Sequence, residues 1–353
     1  MSAGIFNVIK ILSTSAIATT IAVLWAPFLI NFLYKHKLWK KSARTKAISG
    51  EDATVFNSLH KERETNVPRM GGIIISVTTI MVALFFYTAS LLFPGTWAAD
   101  LNFLSRSQTW LPLFTLIAAS IVGLFDDILV VSSLGKYIGG GISFFKRFAI
   151  VLLIGLIGGW WFYSKLGWDV LSIPLIGHFS IGIWYIPLFA TVMLACWSGG
   201  IIDGIDGLSG GAFASIFGAF SIIAFSQFKI DLAAFCAVIT GTLFAFLWFN
   251  IPPARFYMTE VGILGLTTTL SVVAFLTDSV VVLPIIAGLL VLEVGSVIIQ
   301  LLSKKFRKKK IFLSTPIHHH FEAIGWPPYK VTMRLWIVGI VLAVVGVVIR
   351  LLG

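Results

Sequence analysis

The sequence predicts an all-α integral membrane protein, a polytopic bundle of about ten transmembrane helices. Three observations predict it. Hydrophobic residues make up 58% of the chain and charged residues only 12%, against roughly 45–50% and 25% in soluble domains. Charge-free runs close to the roughly 20 residues that cross a bilayer recur from end to end. Once those runs are counted off, Lys and Arg fall almost entirely on one side.

In chain order the runs cover 13–34, 71–93, 110–125, 148–163, 179–197, 208–228, 232–249, 261–277, 279–302 and 335–349. Each must be helical, because an unpaired backbone cannot face lipid. The third, fourth and last are short and must borrow flanking residues. The first is too long for a signal peptide and lacks a small-residue cleavage site after it, so it reads as a retained helix. Cys196 and Cys236 lie within apolar runs and read as packing residues. No internal repeat or low-complexity linker interrupts the chain, so one membrane domain covers 1–353.

Ten spans put both termini on one side. With that side outside, the inner segments carry nine basic residues between 35 and 69, three between 136 and 147, Arg255, and eight between 304 and 334. Only Lys10, Arg106, Lys165, Lys229 and Arg350 remain outside. By the positive-inside rule the termini are outside and any active-site cleft built from the inner loops faces the cytoplasm. The net charge of +11 is thus mostly an inner-face charge. It is suited to anionic headgroups and, in part, to a phosphorylated substrate. Nucleic acid is not an expected partner, since there is no soluble domain to hold a duplex.

The same face collects the polar residues of interest: Asp126, Asp127, Asp203, Asp206, Glu260, Glu322 and the run His318-His319-His320. Carboxylates and imidazoles at one membrane–water boundary point to metal-assisted chemistry on a charged substrate. Adjacent helical residues point about 100° apart, so Asp126 and Asp127 are suited to separate tasks. In Asp203-Gly-Ile-Asp206-Gly a helical start would put both aspartates on one face, among glycines that allow close approach of phosphate. An N-capping Asp in a glycine-rich turn explains one of these aspartates but not both.

No helix or strand puts all three histidines on one face, so two at most reach a common site. Hard carboxylates nearby favour Mg2+, which seldom takes histidine. Holding phosphate or orienting a carboxylate therefore suits these imidazoles better than ligating metal. Glu293 and Gln300 are two helical turns apart within the ninth run, where an embedded carboxylate is either functional or paired within the bundle. The basic stretch 304–310 reads as a topology anchor.

Asp126-Asp127, the 203–207 motif, Leu247-Trp248-Phe249-Asn250, Pro316-Ile-His-His-His-Phe-Glu322 and the string 293–300 resemble the phospho-N-acetylmuramoyl-pentapeptide transferases. These belong to the polyprenyl-phosphate phosphoglycosyl transferases. The resemblance runs from Pro68-Arg-Met-Gly-Gly72 to the last span. It implies transfer of phospho-N-acetylmuramoyl-pentapeptide from its UDP carrier to undecaprenyl phosphate, with Mg2+ as cofactor and membrane lipids around the protein, and it allows a homodimer. It further implies Asp126 as base or nucleophile, Asp127, Asp203, His318 and His319 as catalytic partners, and Glu260 with Asp203 at the metal. Asp206, Asn250, Tyr257, Gln300 and His320 would bind substrate, Tyr257 by stacking on uracil.

The chain departs from the family at several of these positions. Gly200 replaces an Asn, Glu260 replaces the metal-binding Asp, and Arg69 replaces a Thr. The nearby family Lys is shifted to Lys61 or replaced by Glu64, and the loop after Asp127 is longer and lacks a Lys close behind the pair. These departures leave open a related transferase using another UDP-sugar, such as UDP-N-acetylglucosamine, or a low-activity paralogue. A transporter or channel would instead put ionisable groups near the bilayer midplane and show repeats. Here only Glu293 is expected to be deep.

Overall fold

A computed structural model describes residues 2–41, 65–132 and 141–353. Lys61, Glu64 and Lys136 lie outside the described residues. Long helices dominate: α1 (Ala3–Lys35), α2 (Ile73–Leu92), α4 (Trp110–Ser132), α5 (Phe144–Leu166), α6 (Tyr185–Ser198), α7 (Leu208–Ser226), α8 (Ile230–Asn250), α9 (Thr259–Leu276), α11 (Gly288–Arg307) and α13 (Pro328–Leu352). Three short α-helices, α3 (Trp97–Asp100), α10 (Leu283–Ile286) and α12 (Ile317–Ala323), and two 3-10 turns, Gly182–Trp184 and Gly199–Ile202, complete the described helices. The three short runs do borrow their flanks, and α4 continues well past Asp126-Asp127.

Among the described residues nine helices are long and apolar enough to cross a bilayer. The ninth predicted run is not one helix. It breaks at Ala287 (φ −93°, ψ 27°) into α10 and α11. The break falls where Ile286 packs on Gly346 of α13, and Gly288 then meets Leu342. This broken pair still crosses the bundle, running antiparallel to α13: Arg350 hydrogen-bonds Ser279 at one end, and Leu289 reaches Gly339 further along. Glu293, expected to be deep, is wholly buried and stands beside His318.

Both chain ends lie at one end of the bundle. Lys10 Nζ bonds Asn102 O (2.6 Å) and Asp231 (2.8 Å), while Lys229 Nζ reaches Leu276 O (2.6 Å) close to Ser279 and Arg350. A small antiparallel hairpin, β1 (Val170–Ile173) with β2 (Gly177–Ser180), is an addition the apolar pattern did not anticipate. It takes the first residues of the fifth predicted run, so α6 starts only at Tyr185.

Helix α9 is the axis of the bundle, with all but Glu260 of its residues buried. It packs most extensively on α4 and also on α6, while α8 joins α1 to α7, and α13 covers α7. Phe189 of α6 stacks on Phe275 of α9 with ring centroids 4.3 Å apart, tying the α5–α6 pair to this axis. Peripheral α5 buries little beyond Val151, Gly155, Gly159 and Phe162. Several of its other apolar residues, such as Leu153 and Ile157, are exposed, as lipid contact requires.

Candidate active site

Small residues bring the acidic groups together. A Cβ on Gly123 of α4 would fall on the backbone of Glu260 and Val261, and one on Gly265 of α9 would meet Ser120 and Leu116. The two backbones thus approach as closely as membrane helices do at small residues. One turn beyond Gly123 stand Asp126 and Asp127, level with the first turn of α9.

The two neighbours do different things. Asp127 is wholly buried. It accepts from Arg69 Nη2 (3.0 Å) and Nε (3.2 Å), from Thr259 Oγ1 (2.6 Å) and from the Val261 amide (3.0 Å). Asp203, from the loop before α7, accepts from the Thr259 amide (2.9 Å) and from Ser209 Oγ (2.8 Å). Two carboxylates from distant segments therefore satisfy amides that every helix leaves unpaired in its first turn, where negative charge also meets the positive end of the helix dipole. Burial pushes the Asp203 carboxyl above the usual range; Ser209, the Thr259 amide and Arg69 oppose it.

Asp126 points elsewhere. It accepts from the Ile142 amide and lies 3.9 Å from Arg147 Nη1. The same guanidinium is hydrogen-bonded to Glu260. Arg147 thus sits between Asp126 and Glu260 as their shared counter-ion. Asp203, expected with Glu260 at the metal, accepts one hydrogen bond on each oxygen, and the carboxylate that shares a cation with Glu260 is Asp126. Arg147, Arg69 and Thr259 were not singled out as site partners by sequence. The only available signal was that two basic residues and a hydroxyl occur in the inner loops or at a helix start.

The expected substrate contacts also brace the loops that carry the carboxylates. Asp206 accepts from the Ala254 amide (3.1 Å). Asn250 accepts from the Gly207 amide (2.9 Å) and donates to Phe256 O (2.8 Å). Tyr257 is half-buried, its backbone paired with Pro68 and Gly71. The Gln300 amide is committed to the 311–312 segment, accepting from the amides of Ile311 and Phe312 and donating to Phe312 O, each at 3.0 Å.

Two of the three histidines converge. A Cβ on Gly204 would run into His318 Nε2 and come within 3.1 Å of His319 Nε2. His320 turns away, accepting from the Leu313 amide (3.2 Å). Gly204→Ala is accordingly expected to cost about 1–3 kcal/mol as an overpacked site and to displace the imidazoles. Thermal unfolding alongside turnover would check this, and a variant as stable and active as the parent would contradict the close approach. Through Asp203 and Thr259, the histidines and the acidic groups form one connected site at the end of the bundle opposite both termini.

The glycosyl transferase family 4 description matches residues 109–278, which include Asp126, Asp127, Asp203 and Glu260. The phospho-N-acetylmuramoyl-pentapeptide-transferase of Anoxybacillus flavithermus is 30% identical over 343 residues, 96% of this chain and 98% of the relative. The protein of the same name from Bacillus cereus is 32% identical over 346 residues, 96% of this chain and 97% of its own length. That of Lactiplantibacillus plantarum is 31% identical over 288 residues, covering 81% and 85%.

Proposed function

The chain belongs to the phospho-N-acetylmuramoyl-pentapeptide transferase family, and from that premise we propose that it moves phospho-N-acetylmuramoyl-pentapeptide from UDP-N-acetylmuramoyl-pentapeptide to undecaprenyl phosphate. The products are lipid I and UMP, in the first membrane step of peptidoglycan synthesis. The inner membrane of a bacterium is the setting, with the site facing the cytoplasm and both termini outside. The excess of Lys and Arg at the site's end of the bundle supports that orientation.

The observation that carries the reading is a cation held between Asp126 and Glu260, in one site with two imidazoles beside Gly204. A seat for positive charge between two carboxylates suits Mg2+, which takes one or two protein carboxylates and completes its shell with phosphate and water. No cluster of three or more His, Cys, Asp or Glu able to enclose a metal occurs among the described residues. When bound, Mg2+ supplies neutralisation of the charge that builds on the departing phosphate.

An oxygen of the lipid phosphate bonds to the β-phosphorus, the bond from that phosphorus to its bridging oxygen breaks, and the electron pair leaves with UMP. Asp126 orients the attacking phosphate and takes up its residual proton. That proton matters little, because the second pKa of a phosphate monoester is about 6. Arg147 and Arg69 keep the acidic site close to neutral before the phosphates arrive. Asp127 and Asp203 fix the start of α9, and so the position of Glu260. Tyr257 stacks on uracil, Asp206 and Asn250 shape its pocket, and Gln300 and His320 hold the loop over the substrate.

UMP release by purified protein with both substrates tests the reading. We expect release that stops on chelation with EDTA and returns with added Mg2+. Folded protein that gives no UMP with these substrates, or that gives it only with UDP-N-acetylglucosamine, would overturn the assignment.

A further inference from the structure

Trp326, in the turn between α12 and α13, gathers two cations. The guanidinium carbon of Arg334 lies 4.4 Å from the centroid of its ring, and Lys330 Nζ lies 5.1 Å from it. Phe321 of α12 stacks on the same indole, with centroids 4.9 Å apart and planes 18° from parallel, which holds the ring in place. Lys330 and Arg334 are one turn apart on α13 and share a face. Like charges at that spacing repel, and the electron-rich ring offsets the repulsion. Among the described residues neither side chain is paired with a carboxylate or hydrogen-bonded to protein. A stacked guanidinium uses its flat face and leaves its in-plane N–H donors open.

This pair is turned away from the catalytic loop. Thr332 Oγ1 donates to Asp206 O (3.0 Å), and Trp336 Nε1 donates to Gly207 O (3.1 Å). Each stands two residues, about 200° of helix, from Lys330 and Arg334 respectively. Arg334 is exposed, and on its own face Ile337, Val341, Val345 and Val348 are exposed as well. Between 337 and 348 the helix rises about 16 Å, close to half of the roughly 30 Å hydrocarbon core. Because α13 starts at the site's end of the bundle, the cations stand where this apolar stripe meets the headgroups.

We infer that Trp326, Lys330 and Arg334 form a site for the headgroup phosphate of an anionic phospholipid, whose acyl chains lie along the 337–348 stripe. Two cations on one ring suit one phosphate: Arg334 bonds two of its oxygens through the guanidinium edge, and Lys330 adds a point charge. The apolar stripe selects a lipid over a soluble phosphate. The turn away from Gly207 selects a lipid of the surrounding bilayer over the substrates. A lipid held here presses on the first turns of α13, which carry the Thr332 and Trp336 bonds to the 206–207 segment. The inference does not depend on the transferase reading.

Native mass spectrometry of the purified protein, titrated with phosphatidylglycerol or with zwitterionic phosphatidylcholine, tests it. We expect phosphatidylglycerol to be retained in preference. Lys330→Gln/Arg334→Gln should weaken its apparent affinity on the order of 10- to 30-fold, the scale of losing two headgroup-facing cations. Trp326→Leu keeps both charges without the ring that aligns them, and it should weaken binding several-fold. Lys308→Gln/Lys310→Gln removes two cations from the same end of the bundle and should bind as the parent does. Equal losses in the two double variants would show a diffuse surface charge and no site. Unchanged phosphatidylglycerol binding in Lys330→Gln/Arg334→Gln, or phosphatidylcholine retained as well as phosphatidylglycerol, would also overturn the inference. Undecaprenyl phosphate serves as a third ligand, and its binding should survive the Lys330→Gln/Arg334→Gln change. Its loss with phosphatidylglycerol binding intact would make the pair part of the substrate site instead.

Discussion

Asp126→Asn is expected to reduce UMP release on the order of 10²–10³-fold, the scale of losing one group that stabilises transition-state charge, here through the seat of the divalent cation, in a protein that remains folded. Asparagine keeps the side-chain shape and an oxygen to accept the Ile142 amide, so the local backbone has no reason to move. What it removes is the charge that Asp126 shares with Glu260 around Arg147. The remaining carboxylate, Glu260, is already paired with that guanidinium, leaving little negative charge to attract a divalent cation. Weaker Mn2+ binding, followed by electron paramagnetic resonance, should therefore accompany the loss of turnover. An Asn variant that retains most of its activity would remove Asp126 from the chemistry.

Asp127→Ala is expected to fail differently, by destabilising the fold by about 3–5 kcal/mol, the usual result of removing one partner of a buried ion pair. The change strands Arg69, whose guanidinium is tied to Asp127 through two nitrogens, and it releases Thr259 Oγ1 and the Val261 amide at the start of α9. Because α9 is the buried axis of the bundle, loosening its first turn affects every helix packed on it. Arg69→Thr combined with Asp127→Ala should recover part of the loss, since the stranded cation is gone. Thermal unfolding in detergent reads both variants. If Asp127→Ala melted with the parent while turnover fell, Asp127 would be a catalytic group and not a structural clamp.

The contrast between these adjacent aspartates shows where sequence reading stops. Their 100° separation on a helix foretells two tasks, but nothing local assigns them. Asp127 finds Arg69 at a separation of 58 residues and Thr259 at 132, and Asp203 finds the Thr259 amide at 56. The same holds for the histidines. That at most two reach one site follows from helical geometry, while the choice of His318 and His319 over His320 depends on Glu293 and Glu322.

The sequence by itself determined the membrane-spanning helices, their order and the clustering of polar groups at one end of the bundle. These are properties of short windows, since a bilayer selects apolar length and shuns unpaired backbone and charge at any position. Tertiary structure alone decided the break at Ala287, the hairpin before α6, the pairing of Asp127 with Arg69 and the place of Arg147 between Asp126 and Glu260. Each depends on which residues meet across helices, as Gly123 meets Glu260 and Ile286 meets Gly346. Apolar length records which stretches enter the membrane, and it carries no record of which face meets protein or of the neighbour it meets.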